Sequence, residues 1–314
     1  MIMIKIEKYI PTQCAEWNKF VDETKNGTFM HKREYMDYHN SRFSDFSLIA
    51  YAGSKIIGVL PANRCDNTLY SHQGLTFAGW LTQSQHFDVS NMLHIFDAMR
   101  IFLQENGIKE LIYKASPHIY HQYPADEDLY AIFRNNGTLI SSNISSTVSQ
   151  DTPLLFNENA RRAVKRSTQH GVVISETTDF APYWKLLTET LNARHGVNPV
   201  HTLQEIELLH SRFPLNIRLF TASLGETLLG GVVVYLSINV AHAQYIAASE
   251  EGCEKKVLPL IFNQLISEDF SCAKYFDFGI SNEQNGLILN EGLSMQKSGM
   301  GGRGIVYNTY KLNY

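Results

Sequence analysis

The chain has 314 residues, 44% of them apolar and 18% charged, with a net charge of −4. That length points to two domains, and the composition excludes a disordered chain. Mild acidity excludes the global positive field that DNA binding or attraction to anionic membranes would use. No apolar run reaches spanning length, so no transmembrane segment is expected. Cys14, Cys65, Cys253 and Cys272 are scattered without C-x-x-C spacing. They read as reduced thiols in a cytoplasmic protein, with no disulfide framework and no metal site.

Met3–Tyr9 alternates as a strand rather than a leader peptide. Thr12 opens a helix through Trp17, Phe20 and Val21, stopped at Asn26-Gly27. A short helix over Lys32–Asn40 follows, then a hairpin of 47–52 and 56–62 turning at Gly53-Ser54. Thr68–His72 is a short strand. Asp88 or Ser90 caps a long helix with Met92, Ile95, Phe96, Met99, Phe102 and Leu103 on one face, closed by Gly107. Strand Glu110–Lys114, helix Asp126–Arg134 and strand Thr138–Val148 end the first half.

The second half repeats this order. Val172–Glu176 is a strand, Asp179 caps a helix to Gly196, and Thr202 with Glu205 forms a capping box for the next helix. Asn216–Ala222, Leu228–Leu236 and Val240–Ala248 are successive strands, and Lys255–Phe270 is a helix. A strand at Tyr275–Phe278 stops at Gly279. A helix over Leu287–Met295 runs to Lys297 and a glycine cluster, Gly299, Gly301 and Gly302, before a final strand, Ile305–Tyr314. Each half reads β-α-α-β-β-β-α-β-α-β. Between them, Arg161, Arg162, Lys165 and Arg166 fall within one or two helical turns, a local basic face on an acidic protein.

The glycines at the last corner permit positive φ and close backbone approach to a ligand, and Lys297 can place a charge over it. The plainer account is a helix stop with a lysine complementing the helix dipole. His118, His121, His170, His195, His201 and His242 show no metal-ligand pattern. Tyr70–Trp80, "YSHQGLTFAGW", reads either as the lining of an acceptor cleft, through His72, Gln73 and Gly74, or as a packed turn. Tyr245 reads as a donor-side or a core tyrosine.

The stretch Phe276–Tyr310 resembles the C-terminal end of the Fem-type (FemABX-like, peptidoglycan-bridge) transferases and of proteins with Fem-like GNAT (N-acetyltransferase) domains. The matching residues are Phe276, Asp277, Phe278, Gly279, Ile280, Leu293, Lys297, Gly299, Gly301, Gly302, Tyr307 and Tyr310. Gln296 and Met300 replace the family's aromatics beside the lysine and between the glycines. The element order extends the resemblance over nearly the whole chain. It implies an α+β protein of two tandem GNAT-like domains, 1–149 and 150–314, each a mixed sheet flanked by helices.

The resemblance also implies an N-acyltransferase. Acyl-CoA or aminoacyl-tRNA would serve as co-substrate, with no permanently bound cofactor. The acceptor would be an amine on a small-molecule, lipid-linked or UDP-sugar precursor of the cell envelope. Lys297 would be the catalytic residue. Arg161, Arg162, Lys165, Arg166, Gly299, Gly301, Gly302 and Tyr245 would face the donor or its phosphates. The GNAT pyrophosphate loop, Q/R-x-x-G-x-G/A, would fall at Ser249–Lys256, "SEEGCEKK", where only Gly252 fits. Against this stands a binding module of the same fold, without catalysis, that takes a sugar nucleotide or a protein partner. The altered aromatics at Gln296 and Met300 speak for it.

Overall fold

The computed structural model describes residues 4–314, the side chain of His195 aside; the Met3 start of the first expected strand lies outside them. The chain forms two compact units. The first comprises Met1–Asn143, Asn282–Ile288 and Val306–Tyr314, and the second Ile144–Ser281 and Leu289–Ile305. This division differs from the two uninterrupted segments read from the sequence, 1–149 and 150–314, because short C-terminal stretches return to the first unit.

In the first unit, β1 (Ile4–Lys8) leads through α1 (Cys14–Asp22) and α2 (Arg33–Met36) to β2 (Ser44–Asp45), β3 (Leu48–Ala52), β4 (Lys55–Leu60), β5 (Asn63–Cys65), β6 (Thr68–Tyr70) and β7 (Leu81–Thr82). Then come α3 (Val89–Glu105), β8 (Glu110–Lys114), α4 (Glu127–Arg134) and the start of β9 (Thr138–Ser149). One sheet has the order β1-β3-β4-β7, all antiparallel. In the other, β2, β5 and β6 pair antiparallel and β6 runs parallel to β8. The strands β2, β5 and β7 are too short for a periodic signal, and the sequence reading passes over them.

Asp88 caps α3 by accepting from Asn91 N at 2.9 Å. The apolar stripe of α3, Met92, Ile95, Phe96, Met99 and Leu103, is buried. At about 1.5–3 kcal/mol for each such side chain, this face contributes on the order of 10 kcal/mol before entropy. It packs with Leu48, Leu60, Trp80 and Tyr113 into one core.

The second unit holds α5 (Glu158–Gln169), β10 (Val173–Thr177), α6 (Ala181–His195), α7 (Leu203–Arg212), β11 (Ile217–Leu224), β12 (Thr227–Leu236), β13 (Val240–Ala248), α8 (Glu250–Glu254), α9 (Val257–Gln264) and β14 (Tyr275–Ile280). A short hairpin of β15 (Asn282–Glu283) and β16 (Ile288–Leu289) precedes α10 (Glu291–Gly299) and β17 (Arg303–Asn313). The sheet order is β10-β11-β12-β13-β14-β9. All neighbours are antiparallel except β13 and β14. Adjacent glycines on β12 let helices close on both faces. A Cβ at Gly230 would meet Val257 of α9 at 3.1 Å, and one at Gly231 would meet Tyr183 of α6 at 2.8 Å.

Two expected helices are corrected. The one expected over Lys255–Phe270 begins at Val257, because Lys256 adopts φ 60° and separates α8 from α9. The one expected over Leu287–Met295 begins at Glu291, where Asn290 accepts from Leu293 N at 3.0 Å and caps it. Lys297 therefore lies inside α10 instead of after it.

Candidate active site

The parallel strands β13 and β14 pair at Val240 with Tyr275, Ala241 with Phe276 and His242 with Asp277, and then their ladder stops. β13 continues to Ala248 on its β12 side. β14 shifts register against β9 between Asp277 and Ile280, and Gly279 takes φ 79°. A glycine is needed there because that φ is costly for any residue bearing a Cβ. The two strands thus part at His242 and Asp277.

A polar cluster occupies this fork. Asp277, fully buried between Phe276 and Phe278, accepts from Ser145 Oγ at 2.5 Å and Thr147 Oγ1 at 2.7 Å, both on β9. Its other oxygen lies 2.7 Å from His242 Nδ1. Burial pushes the Asp277 carboxyl up. His242 and the two hydroxyls outweigh that and hold it below the usual carboxylate range, as hydrogen bonds to a charged form do. The side chain of His242 keeps 15% exposure.

Lys297 reaches the fork from α10. Its Nζ donates to the carbonyls of Gly279 at 2.8 Å and Ile280 at 2.7 Å. The residue is only 4% exposed, so it does not sit in bulk solvent offsetting a helix dipole. Burial lowers its pKa to about 8, against the raising effect of Asp277.

The glycine corner adjoins this lysine, and the protein's own chain fills the space beside it. A Cβ at Gly301 (φ 91°) would come 2.6 Å from Leu154 O, and one at Gly299 would come 2.7 Å from Asn157 Nδ2. Gly302 N donates to Lys297 O at 3.1 Å, and Asn157 N donates to Gly299 O at 2.8 Å. Asn157 also caps α5 by accepting from Ala160 N. The corner thereby brings the start of the basic helix against the end of α10. Arg161, Arg162, Lys165 and Arg166 are all exposed on α5. Among the described residues only Arg162 of the four meets a carboxylate, Glu158 at 3.6 Å.

Other expected site residues lie elsewhere. Tyr245 is a core residue of the second unit, its hydroxyl 2.5 Å from His201 Nδ1 and its ring edge-on to Trp184 at 5.0 Å. In the first unit, His72 is buried and stacks on His39 at 5.1 Å, and burial lowers its pKa to about 3. Gly74 backs onto His39 and Phe43. Gln73 is exposed and exchanges two hydrogen bonds with Asn63. Lys114 Nζ donates to Leu75 O at 2.8 Å. Tyr70–Trp80 is thus a packed turn here. At Ser249–Lys256, Gly252 lies within α8 hard against β12, where a Cβ would lie 2.0 Å from Leu229 O. Glu250 and Glu251 fill the helix's first turn.

Sequence reasoning missed the His242–Asp277 pair. One signal was available: Asp277 is a lone charge in a run of core aromatics, and a buried carboxylate requires partners.

Residues 156–284 match the acetyltransferase (GNAT) domain family. No curated protein matches the sequence. Among solved structures, FemX has a TM-score of 0.67 at 11% identity, covering 98% of this chain and 97% of its own. L-PGS from Bacillus licheniformis has a TM-score of 0.61 at 11% identity, covering 97% and 92%. A tandem GNAT protein from the clavulanic acid biosynthesis pathway has a TM-score of 0.50 at 9% identity, covering 99% and 98%. The chain has the fold of Fem-type tandem GNAT proteins, with two GNAT-like domains.

Proposed function

We propose that this chain, an acyltransferase with a GNAT domain at residues 156–284, seats an acyl or aminoacyl ester where β13 and β14 part. It transfers the acyl group to an amine on a cell-envelope or glycan precursor. The observation that carries this reading is the fork itself: two parallel strands whose ladder ends at His242 and Asp277 inside that domain. Strand edges released from a ladder present N–H groups that an acyl carbonyl, and the oxyanion formed from it, can use.

Lys297 spends two of its three N–H donors on Gly279 and Ile280. Its third is assigned to the donor's carbonyl or ester oxygen. The exposed charges of Arg161, Arg162, Lys165 and Arg166 take the phosphates of acyl-CoA or aminoacyl-tRNA. The first turn of α8, with its two glutamates, repels them.

Thermal shift with acetyl-CoA, lysyl-tRNA and a UDP-sugar tests the reading, since a ligand of the folded state raises the Tm by mass action. A shift with either ester donor is expected, and it should weaken in Arg162→Glu/Arg166→Glu at low salt and converge with wild type at high salt. A shift with the UDP-sugar alone would favour a binding module without catalysis.

A further inference from the structure

We propose that His242 is the proton acceptor of the transfer reaction, its Nε2 facing the opening and its ring fixed by Asp277. The inference rests on the reading of the fork as the site of acyl transfer. Three donors converge on Asp277 inside the protein, from Ser145, Thr147 and His242. A carboxylate so held accepts at every contact, so the hydrogen between it and His242 belongs to the imidazole Nδ1. In the neutral ring that places the lone pair on Nε2.

No described residue takes that nitrogen as a hydrogen-bond partner, and the side chain retains 15% exposure. A Cβ at Gly279 would lie 3.5 Å from His242 Cε1 and 3.7 Å from Ala243 O, with nothing closer. The ring edge therefore borders the space that Gly279 leaves open. The groups that face His242 are Asp277 on β14, Tyr235 across the ladder on β12, and Lys297 through its charge on Asp277.

The chemistry balances on one ring. As the neutral amine of the acceptor forms a C–N bond to the ester carbonyl carbon, the carbonyl π pair moves to oxygen. His242 Nε2 takes the amine proton. When the adduct collapses, the C=O re-forms and the bond to sulfur or oxygen breaks with its electron pair. The imidazolium returns the proton to that leaving group. His242 ends neutral and no further reactant is needed.

The imidazole can be read without knowing the natural acceptor. In protein labelled with 15N-histidine, the signals lost in His242→Gln assign the ring. The expected state is Nδ1–H with a bare Nε2, which diethyl pyrocarbonate should carbethoxylate, and Asp277→Asn should disturb the tautomer. An Nε2–H ring, or one inert to the reagent in the folded protein, overturns the proposal. Because this is a measurement on wild type, it stands even if His242→Gln fails to fold.

Catalysis is then read as transfer from acetyl-CoA and from lysyl-tRNA to a primary alkylamine and to hydroxylamine, whose nitrogen in the adduct is acidic enough to lose its proton to water without a positioned base. Loss of a general base costs about 10²–10⁴-fold. His242→Gln should lose alkylamine transfer by at least about a hundredfold and keep hydroxylamine transfer within about tenfold. Equal loss with both nucleophiles, or no loss with either, overturns the role. Wild-type protein that transfers to neither overturns acyl transfer itself. That failure is distinguished from a misassigned His242 by the ring's tautomer and reactivity.

Discussion

Lys297 combines two opposing energies in one side chain. Burial lowers its pKa from 10.5 to about 8, which at about 1.4 kcal/mol per unit disfavours the ammonium by about 3 kcal/mol. Lys297→Met removes that cost but leaves the carbonyls of Gly279 and Ile280 without their donor, at about 1–3 kcal/mol each. The two nearly cancel, so the Tm should move by only a few degrees. Transfer should fall on the order of a hundredfold or more, the usual cost of losing an oxyanion donor. Near-full activity in Lys297→Met would remove the lysine from the mechanism.

The same substitution has a signature in pH. The unfolded lysine keeps its proton to about pH 10.5 and the folded one only to about 8. Between these values the unfolded state binds more protons, so stability rises with pH. Lys114, also lowered to about 8 by burial, acts in the same direction. Urea melts at pH 8 and pH 9, below the range where tyrosines whose pKa values burial raises oppose it, should show the rise in wild type and a smaller one in Lys297→Met. Lys297 was visible in the sequence because its neighbours form one local pattern. The His242–Asp277 pair was not, since its members lie 35 residues apart and the supporting hydroxyls 130 and 132.

At the level of elements, signals that act over three residues were legible. Asp88 and the Thr202–Glu205 box cap their helices as read. Lys256 was not legible, because nothing in a lysine announces φ 60°; the left-handed region is sparse for residues with a Cβ. The break follows from Gly252 being pinned to Leu229, a tertiary contact with no local trace. The strain there is testable. A left-handed L-residue costs about 1–2 kcal/mol, and glycine returns about 0.4–1 kcal/mol through the unfolded state. Lys256→Gly should therefore stabilise the protein by up to about 1 kcal/mol. Calorimetry showing destabilisation would mean that the turn is unstrained.

Across the whole molecule, acid stability is set by buried groups that local patterns do not reveal. Burial lowers His31 from 6.5 to about 4 and His72 from 6.5 to about 3. In the unfolded chain both take protons below about pH 6.5, while the folded chain refuses them until its own lower values. The unfolded state then binds more protons, so stability falls as pH falls through this window. Asp128 works the other way. Burial raises it from 3.8 to about 6, against its hydrogen bond from Tyr113. Between these values the folded state holds the extra proton and gains stability as pH drops.

His121, also lowered by burial, joins His31 and His72, so the histidines outweigh the one carboxyl and stability falls with acid by about 1.4 kcal/mol per pH unit or more between roughly pH 4.5 and 6. Asp277, held below 3.8, adds its loss only at lower pH. Urea denaturation at half-unit steps from pH 4.5 to 6.5 should show that slope. His72→Gln should lower it by about 1.4 kcal/mol per pH unit, the contribution of one proton. A slope unchanged in His72→Gln would mean that His72 is already protonated in the folded protein, in conflict with its burial against His39.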